Sequence, residues 1–108
     1  MNFGLDETTI AKINSVFENY LEIEEVIVYG SRAKGNFREG SDIDITLKGE
    51  NLSDEIKSKV WLDIDDLNIP YLFDISIFNQ LKSESLIDHI ERIGKLFYKK
   101  KLPQNKLK

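Results

Sequence analysis

The pattern of apolar and polar positions changes period several times along the chain, and each period predicts an element. Ile10, Ile13, Phe17, Tyr20 and Leu21 recur at the spacing of one buried helical stripe. Asp6 stands ahead of them as an N-cap, so an amphipathic helix is expected over residues 7–22. "EVIVYG" is a short run of strand formers closed by glycine, and "SRAKGN" has room for only a turn or two of helix. In "SDIDITLK" the alternation is strict: Ile43, Ile45 and Leu47 take one face, and Asp42, Asp44 and Thr46 the other. Ser53 caps a second long helix whose first turn carries Asp54 and Glu55, where the helix dipole favours anions. Its stripe is Ile56, Val60, Ile64 and Leu67, with Trp61 or Leu62 widening it.

After Pro70, "YLFDISIF" reads as a third strand. Tyr71, Phe73, Ile75 and Ile77 share one face of it, and Leu72, Asp74, Ser76 and Phe78 the other. A last helix covers about residues 84–93 and stops at Gly94, and "KLFYK" adds a short extended piece. The order α-β-(short α)-β-α-β-α predicts an α/β or α+β fold, a small mixed sheet flanked by helices.

Composition narrows the class. The chain has 108 residues, 41% of them hydrophobic and 31% charged, which is ordinary for one soluble domain. It has no cysteine, so disulfides and thiolate metal sites are excluded, and its single histidine, His89, cannot make a histidine-clustered zinc site. Without a signal pattern or a membrane-length apolar run, a cytoplasmic protein is expected. The net charge of −4 is uneven, because five of the fifteen basic residues lie in the last ten positions. A domain at residues 1–98 is therefore strongly acidic and unsuited to wrapping nucleic acid. The stretch 99–108 is expected to be a basic, solvated tail.

Aspartate is depleted in strands, so Asp42, Asp44 and Asp74 inside two strand-like runs need a cause. Residues 42 and 44 leave the same face, about 7 Å apart along the backbone. With adjacent strands in register, Asp74 joins them, and three unpaired carboxylates repel one another. A hard divalent cation such as Mg²⁺ removes that repulsion, since it takes oxygen ligands from a few carboxylates and from substrate phosphates. Gly30 allows a sharp turn at the end of the preceding strand, and Ser31 opens the short helix, whose free N–H groups suit a phosphate. Arg32, Lys34 and Arg38 add positive charge to this segment. Phosphate cradle and carboxylates together are equipment for phosphoryl or nucleotidyl transfer.

Gly30-Ser31, ten intervening residues, Asp42-x-Asp44 and a later strand aspartate, Asp74, resemble the signature of the DNA polymerase β-like nucleotidyltransferase superfamily. The string "YGSRAKGNFREGSDIDITL" is similar to its minimal nucleotidyltransferase branch. The resemblance implies that Gly30 and Ser31, with Arg32 beside them, hold the triphosphate of ATP. It further implies that Asp42 and Asp44 bridge two Mg²⁺ ions, and that Asp74 binds the catalytic ion and helps deprotonate the acceptor. It also implies a HEPN-domain ribonuclease toxin as partner, neutralised by transfer of AMP to a tyrosine. With no acceptor-recognition domain expected in the chain, the acceptor is expected to be a separate molecule. The alternative is an antitoxin that neutralises by binding alone, and a weaker one is transfer to a small molecule. Bland readings are preferred elsewhere. His89 is expected to be a partly buried or surface residue, Thr46 a polar strand position, and Asp63, Asp65 and Asp66 a solvated helix face.

Overall fold

A computed structural model describes residues 2–101, and its elements follow the expected order with shifted ends. Helix α1 spans Glu7–Glu18, and the Asp6 carboxylate caps it by accepting from Thr9 N–H at 2.7 Å. The helix ends before the expected residue 22. Asn19 and Tyr20 instead donate three residues back, to the Val16 and Phe17 carbonyls, and this tighter turn leads the chain into the sheet. Leu21 therefore leaves the stripe and lies exposed, whereas Tyr20 stays partly buried and donates to the Asp63 carboxylate.

Strand β1 (Glu25–Tyr29) is followed by the single-turn helix α2 (Ser31–Lys34) and strand β2 (Ile43–Lys48). Helix α3 (Asp54–Asp65) is capped by Ser53, whose hydroxyl accepts from Ile56 N–H. Trp61 and Leu62 do not widen its stripe: they are 45% and 56% exposed, and Val60 and Ile64 carry the burial. Strand β3 (Phe73–Ile77) leads through a 3₁₀ turn, Phe78–Gln80, to α4 (Glu84–Ile93), which Ser83 caps. "KLFYK" becomes a full strand, β4 (Lys95–Lys99). Lys100 still donates to the Glu24 carbonyl, so the sheet edge takes in the start of the expected tail; residues 102–108 lie outside the described residues.

The sheet order is β3-β2-β1-β4. β1 is antiparallel to both β2 and β4, and β2 and β3 run parallel, with α3 as their crossover. The fold is thus α+β with a mixed sheet. Alternation gives the sheet two unlike faces. On one, Val26, Val28, Ile43, Ile45 and Leu47 are fully or almost fully buried together with Ile13 and Phe17 of α1 and Val60 of α3. Burying one such side chain is worth roughly 1.5–3 kcal/mol, so this face holds the fold together. The ion pairs found among the described residues, Glu55–Lys59 and Asp88–Arg92, are exposed and contribute a few tenths of a kcal/mol each at most. The other face carries Ile27, Tyr29, Asp44, Thr46, Asp74 and Ser76, and α4 covers its β1 side.

Candidate active site

The β2–β3 register decides what this second face can do. Asp44 and Asp74, each the second residue of its strand, are direct partners in the parallel ladder, so they stand side by side on one face. Asp42 lies just ahead of β2, two residues from Asp44, and is exposed like Asp74. Ile43 N–H donates to the Leu72 carbonyl at 2.9 Å, which holds the strand entry beside β3. Asp44 is half-buried, and burial is the main cause that raises its carboxyl above the ordinary value of 3.8. The negative charges of Asp74 and Asp42 push it the same way. Asp44 thus senses the charges of both Asp74 and Asp42.

The turn before them is built on Gly30. Its φ of 74° and ψ of −153° belong to a region that essentially only glycine occupies. Space is tight as well, because a Cβ there would lie 2.6 Å from Asp44 Oδ2 and would push that carboxylate aside. The backbone of the glycine–serine turn is therefore pressed directly against the central carboxylate. Ser31 follows, partly exposed, as the first residue of α2.

Arg32 has a different surrounding from the one expected. Only 2% of it is exposed; Nη1 donates to the Phe3 carbonyl at 2.9 Å, and Nη2 and Nε donate to the Ser41 carbonyl at 2.9 and 3.3 Å. Its guanidinium lies over the rings of Phe37 and Tyr71, 4.6 and 5.2 Å from their centroids. These bonds tie the N-terminal turn to Ser41, the residue before Asp42, so Arg32 fixes the loop rather than facing open solvent. Lys34 and Arg38 are exposed.

Tyr29, which sequence reasoning passed over, and His89, partly buried as expected, also belong to this face. Tyr29, the register partner of Asp44, is 8% exposed. Burial raises its phenol, and the charges of Asp44 and Asp74 add to the rise against a contribution from Ser76. The period of two in "EVIVYG" places it opposite Asp44 once the pairing is known. His89 reaches in from α4, and its Nε2 accepts from Gly30 N–H at 3.2 Å. At the β3 edge a cleft of about 300 Å³ opens beside Asp74, lined by Lys57, Ser58, Trp61, Phe73 and Ile75.

Among the described residues, no three His, Cys, Asp or Glu side chains are gathered closely enough to hold a metal ion as they stand. The donor chemistry nonetheless fits a hard divalent cation. The site offers carboxylate oxygens, Asp44 is destabilised by its own neighbours, and a cation would reverse the sign of that field.

Comparison with known proteins bears on the family and the fold. The sequence profile described as "Polymerase beta, Nucleotidyltransferase" matches residues 11–102. No protein of curated function matches the sequence. Among solved structures, the chain is similar to one in a toxin–antitoxin crystallised with AMP-PNP, at 19% identity and a TM-score of 0.67, covering 94% of this chain and 77% of that one. It is also similar to a chain of the tri-AMPylated Shewanella oneidensis HEPN toxin in complex with MNT antitoxin, at 15% identity and a TM-score of 0.64, covering 89% and 74%. A chain of the MntA–HepT toxin–antitoxin matches at 14% identity and a TM-score of 0.64, covering 88% and 74%. At such identities the likeness is one of fold, and the profile over residues 11–102 places this chain in the polymerase beta nucleotidyltransferase family.

Proposed function

We propose that this nucleotidyltransferase moves AMP from ATP to a tyrosine of a HEPN-type ribonuclease toxin and so acts as its antitoxin in the cytoplasm. One observation carries the reading: the ladder that sets Asp44 beside Asp74, with Gly30 packed against Asp44. It brings the glycine–serine turn and two of the aspartates to one end of one sheet face. The AMP-PNP complex and the AMPylated toxin among the similar structures are consistent with the nucleotide and the partner.

In this reading Gly30 and Ser31 orient the triphosphate, and Asp44 lies directly under the turn that holds it. Mg²⁺ ions held by Asp42, Asp44 and Asp74 would neutralise the phosphates and polarise the reacting phosphorus. Asp74, on the exposed edge strand, accepts the proton of the tyrosine hydroxyl. The phenolic oxygen forms a bond to the α-phosphorus, the bond to the β-phosphate oxygen breaks, and pyrophosphate leaves with the electron pair. The acceptor enters from the β3 edge, where the cleft lined by Trp61 and Phe73 offers apolar surface to an aromatic ring.

The test incubates the protein, labelled ATP, Mg²⁺ and the protein encoded beside it. Label and a mass gain of whole AMP units on a partner tyrosine are expected, together with loss of the partner's ribonuclease activity. Replacing Asp42 and Asp44 together by asparagine should abolish the label. If label and neutralisation both survive that change, the proposal fails. If neutralisation alone survives, the protein is an antitoxin that works by binding.

A further inference from the structure

α4 is the helix that covers part of the site face, and His89 is the residue through which it touches the glycine–serine turn. Besides accepting from Gly30 N–H, the imidazole meets Tyr29 edge-on, with ring centroids 6.1 Å apart and an interplanar angle of 78°. Accepting at Nε2 leaves the ring proton on Nδ1. Gly30 has no side chain by which the fold can brace it, and its backbone is held in a conformation few residues tolerate. Its carbonyl accepts from Lys34 N–H at 3.1 Å at the head of α2, and two further neighbours confine the rest of it. Asp44 Oδ2 fills the place of a Cβ, and His89 takes the N–H. The helix carrying His89 is itself anchored by Ile90, 3% exposed, and by close packing of Gly94 on Ile27.

We propose that His89 is a positioning residue for nucleotide binding: its bond to Gly30 N–H fixes the turn, so that Ser31 is presented to the phosphates of a nucleoside triphosphate beside Asp44. The inference rests on the nucleotidyl-transfer reading above. The physical reason is preorganisation. A turn already held in its binding conformation loses no backbone freedom when the anion arrives, whereas a loose one must be ordered by the ligand. A ring that only filled space against Tyr29 could be replaced by another ring. A ring that holds an amide proton cannot.

Three proteins separate these roles: wild type, His89→Phe, which keeps the ring but offers no acceptor, and His89→Gln, whose Oε1 can take the place of Nε2. Amide hydrogen exchange at Gly30 is read by NMR, and Mg-ATP affinity, KM and kcat are measured with the AMP acceptor. In His89→Phe the loss of one hydrogen bond is expected to speed Gly30 exchange and weaken Mg-ATP binding, each by about five- to tenfold. KM should rise accordingly, with kcat within about twofold of wild type. His89→Gln should restore most of both. Should His89→Phe not fold, His89→Asn, whose amide stops short of Gly30, serves in its place. Unchanged exchange at Gly30, unchanged ATP affinity, or a His89→Gln protein as impaired as His89→Phe overturns the proposal while nucleotidyl transfer stands. A wild-type protein that neither binds Mg-ATP nor transfers AMP overturns the nucleotidyl-transfer reading itself.

Discussion

Gly30→Ala tests the geometry of the site most directly, because the substitution adds one methyl group and meets two separable costs. The first is backbone strain: at φ 74° and ψ −153° an L-residue costs on the order of 1–3 kcal/mol. The second is contact, since the new Cβ would sit 2.6 Å from Asp44 Oδ2. That oxygen ends a side chain and can rotate away, so the contact should add only about 0.5–1 kcal/mol, at the low end of couplings between touching residues. The rotation has a functional consequence, because the carboxylate then leaves the row it shares with Asp74. Gly35 supplies the control. Its φ is 85° and nothing lies within 4 Å of its Cβ, so Gly35→Ala carries backbone cost alone, about 1 kcal/mol. Urea unfolding at pH 7 should therefore show Gly30→Ala destabilised by roughly 1.5–4 kcal/mol, and by about 0.5–1 kcal/mol less in an Asp44→Ala background. Mg-ATP binding and transfer should fall in Gly30→Ala as far as in Asp44→Asn, and persist in Gly35→Ala. Equal costs with and without Asp44, or intact nucleotide binding in Gly30→Ala, would refute the claim that this turn rests on that carboxylate.

Asp44→Asn should stabilise the metal-free protein at neutral pH. Burial and the neighbouring Asp74 and Asp42 raise the folded Asp44 carboxyl above 3.8, so the folded chain holds this proton more tightly than the unfolded chain. Its stability therefore falls as pH rises from the unfolded value through the higher folded one. The melting temperature of Asp44→Asn should exceed wild type at pH 7, and the advantage should vanish below about pH 4; a variant no more stable at pH 7 contradicts the raised carboxyl. Arg32→Ala should cost about 2–4 kcal/mol in urea unfolding, because it leaves the Phe3 and Ser41 carbonyls without their donor and empties a stacked site. Arg32→Lys should also lose stability, since an ammonium cannot span both carbonyls. If Arg32→Lys instead leaves stability intact and weakens only Mg-ATP binding, the guanidinium serves the nucleotide rather than the loop.

The elements with a clear period were legible before any fold was known. The alternation of "SDIDITLK" and "YLFDISIF" already divided Ile43, Ile45 and Leu47 from Asp44, and Ile75 and Ile77 from Asp74, because side chains of a strand have only two sides to choose. Capping chemistry located two helix starts, where Asp6 and Ser53 each accept an amide proton of the first turn, and the Ser83 cap of α4 emerged with the fold. Helix ends were less legible. Nothing in "FENYLE" forbids another helical turn, and α1 stops where Tyr20 finds Asp63, 43 residues further along the chain. Leu62 and Trp61 were ambiguous for a related reason. A periodic stripe identifies the buried face of a helix but not its width, which depends on how far the neighbouring sheet extends beneath it.

Arg32 and His89 show a deeper limit. Each was read from its local string, Arg32 as a cation beside an anion-binding turn and His89 as a residue next to an apolar stripe. The position of Arg32 is set by Phe3, Phe37, Ser41 and Tyr71, and that of His89 by Gly30 and Tyr29. No periodicity within either segment encodes those partners. The carboxylates behave differently because their charge makes them anomalous wherever they sit in a strand, so the anomaly can be seen without the partner. A buried arginine or a bonded histidine is anomalous only once the fold has buried or bonded it. Residues proposed to perform the chemistry can thus be visible as local violations of propensity, whereas the residues that hold them in place become visible only in three dimensions. Arg32 and His89 become visible through their contacts at Ser41 and at Gly30, which hold the two flanks of the turn that rests on Asp44.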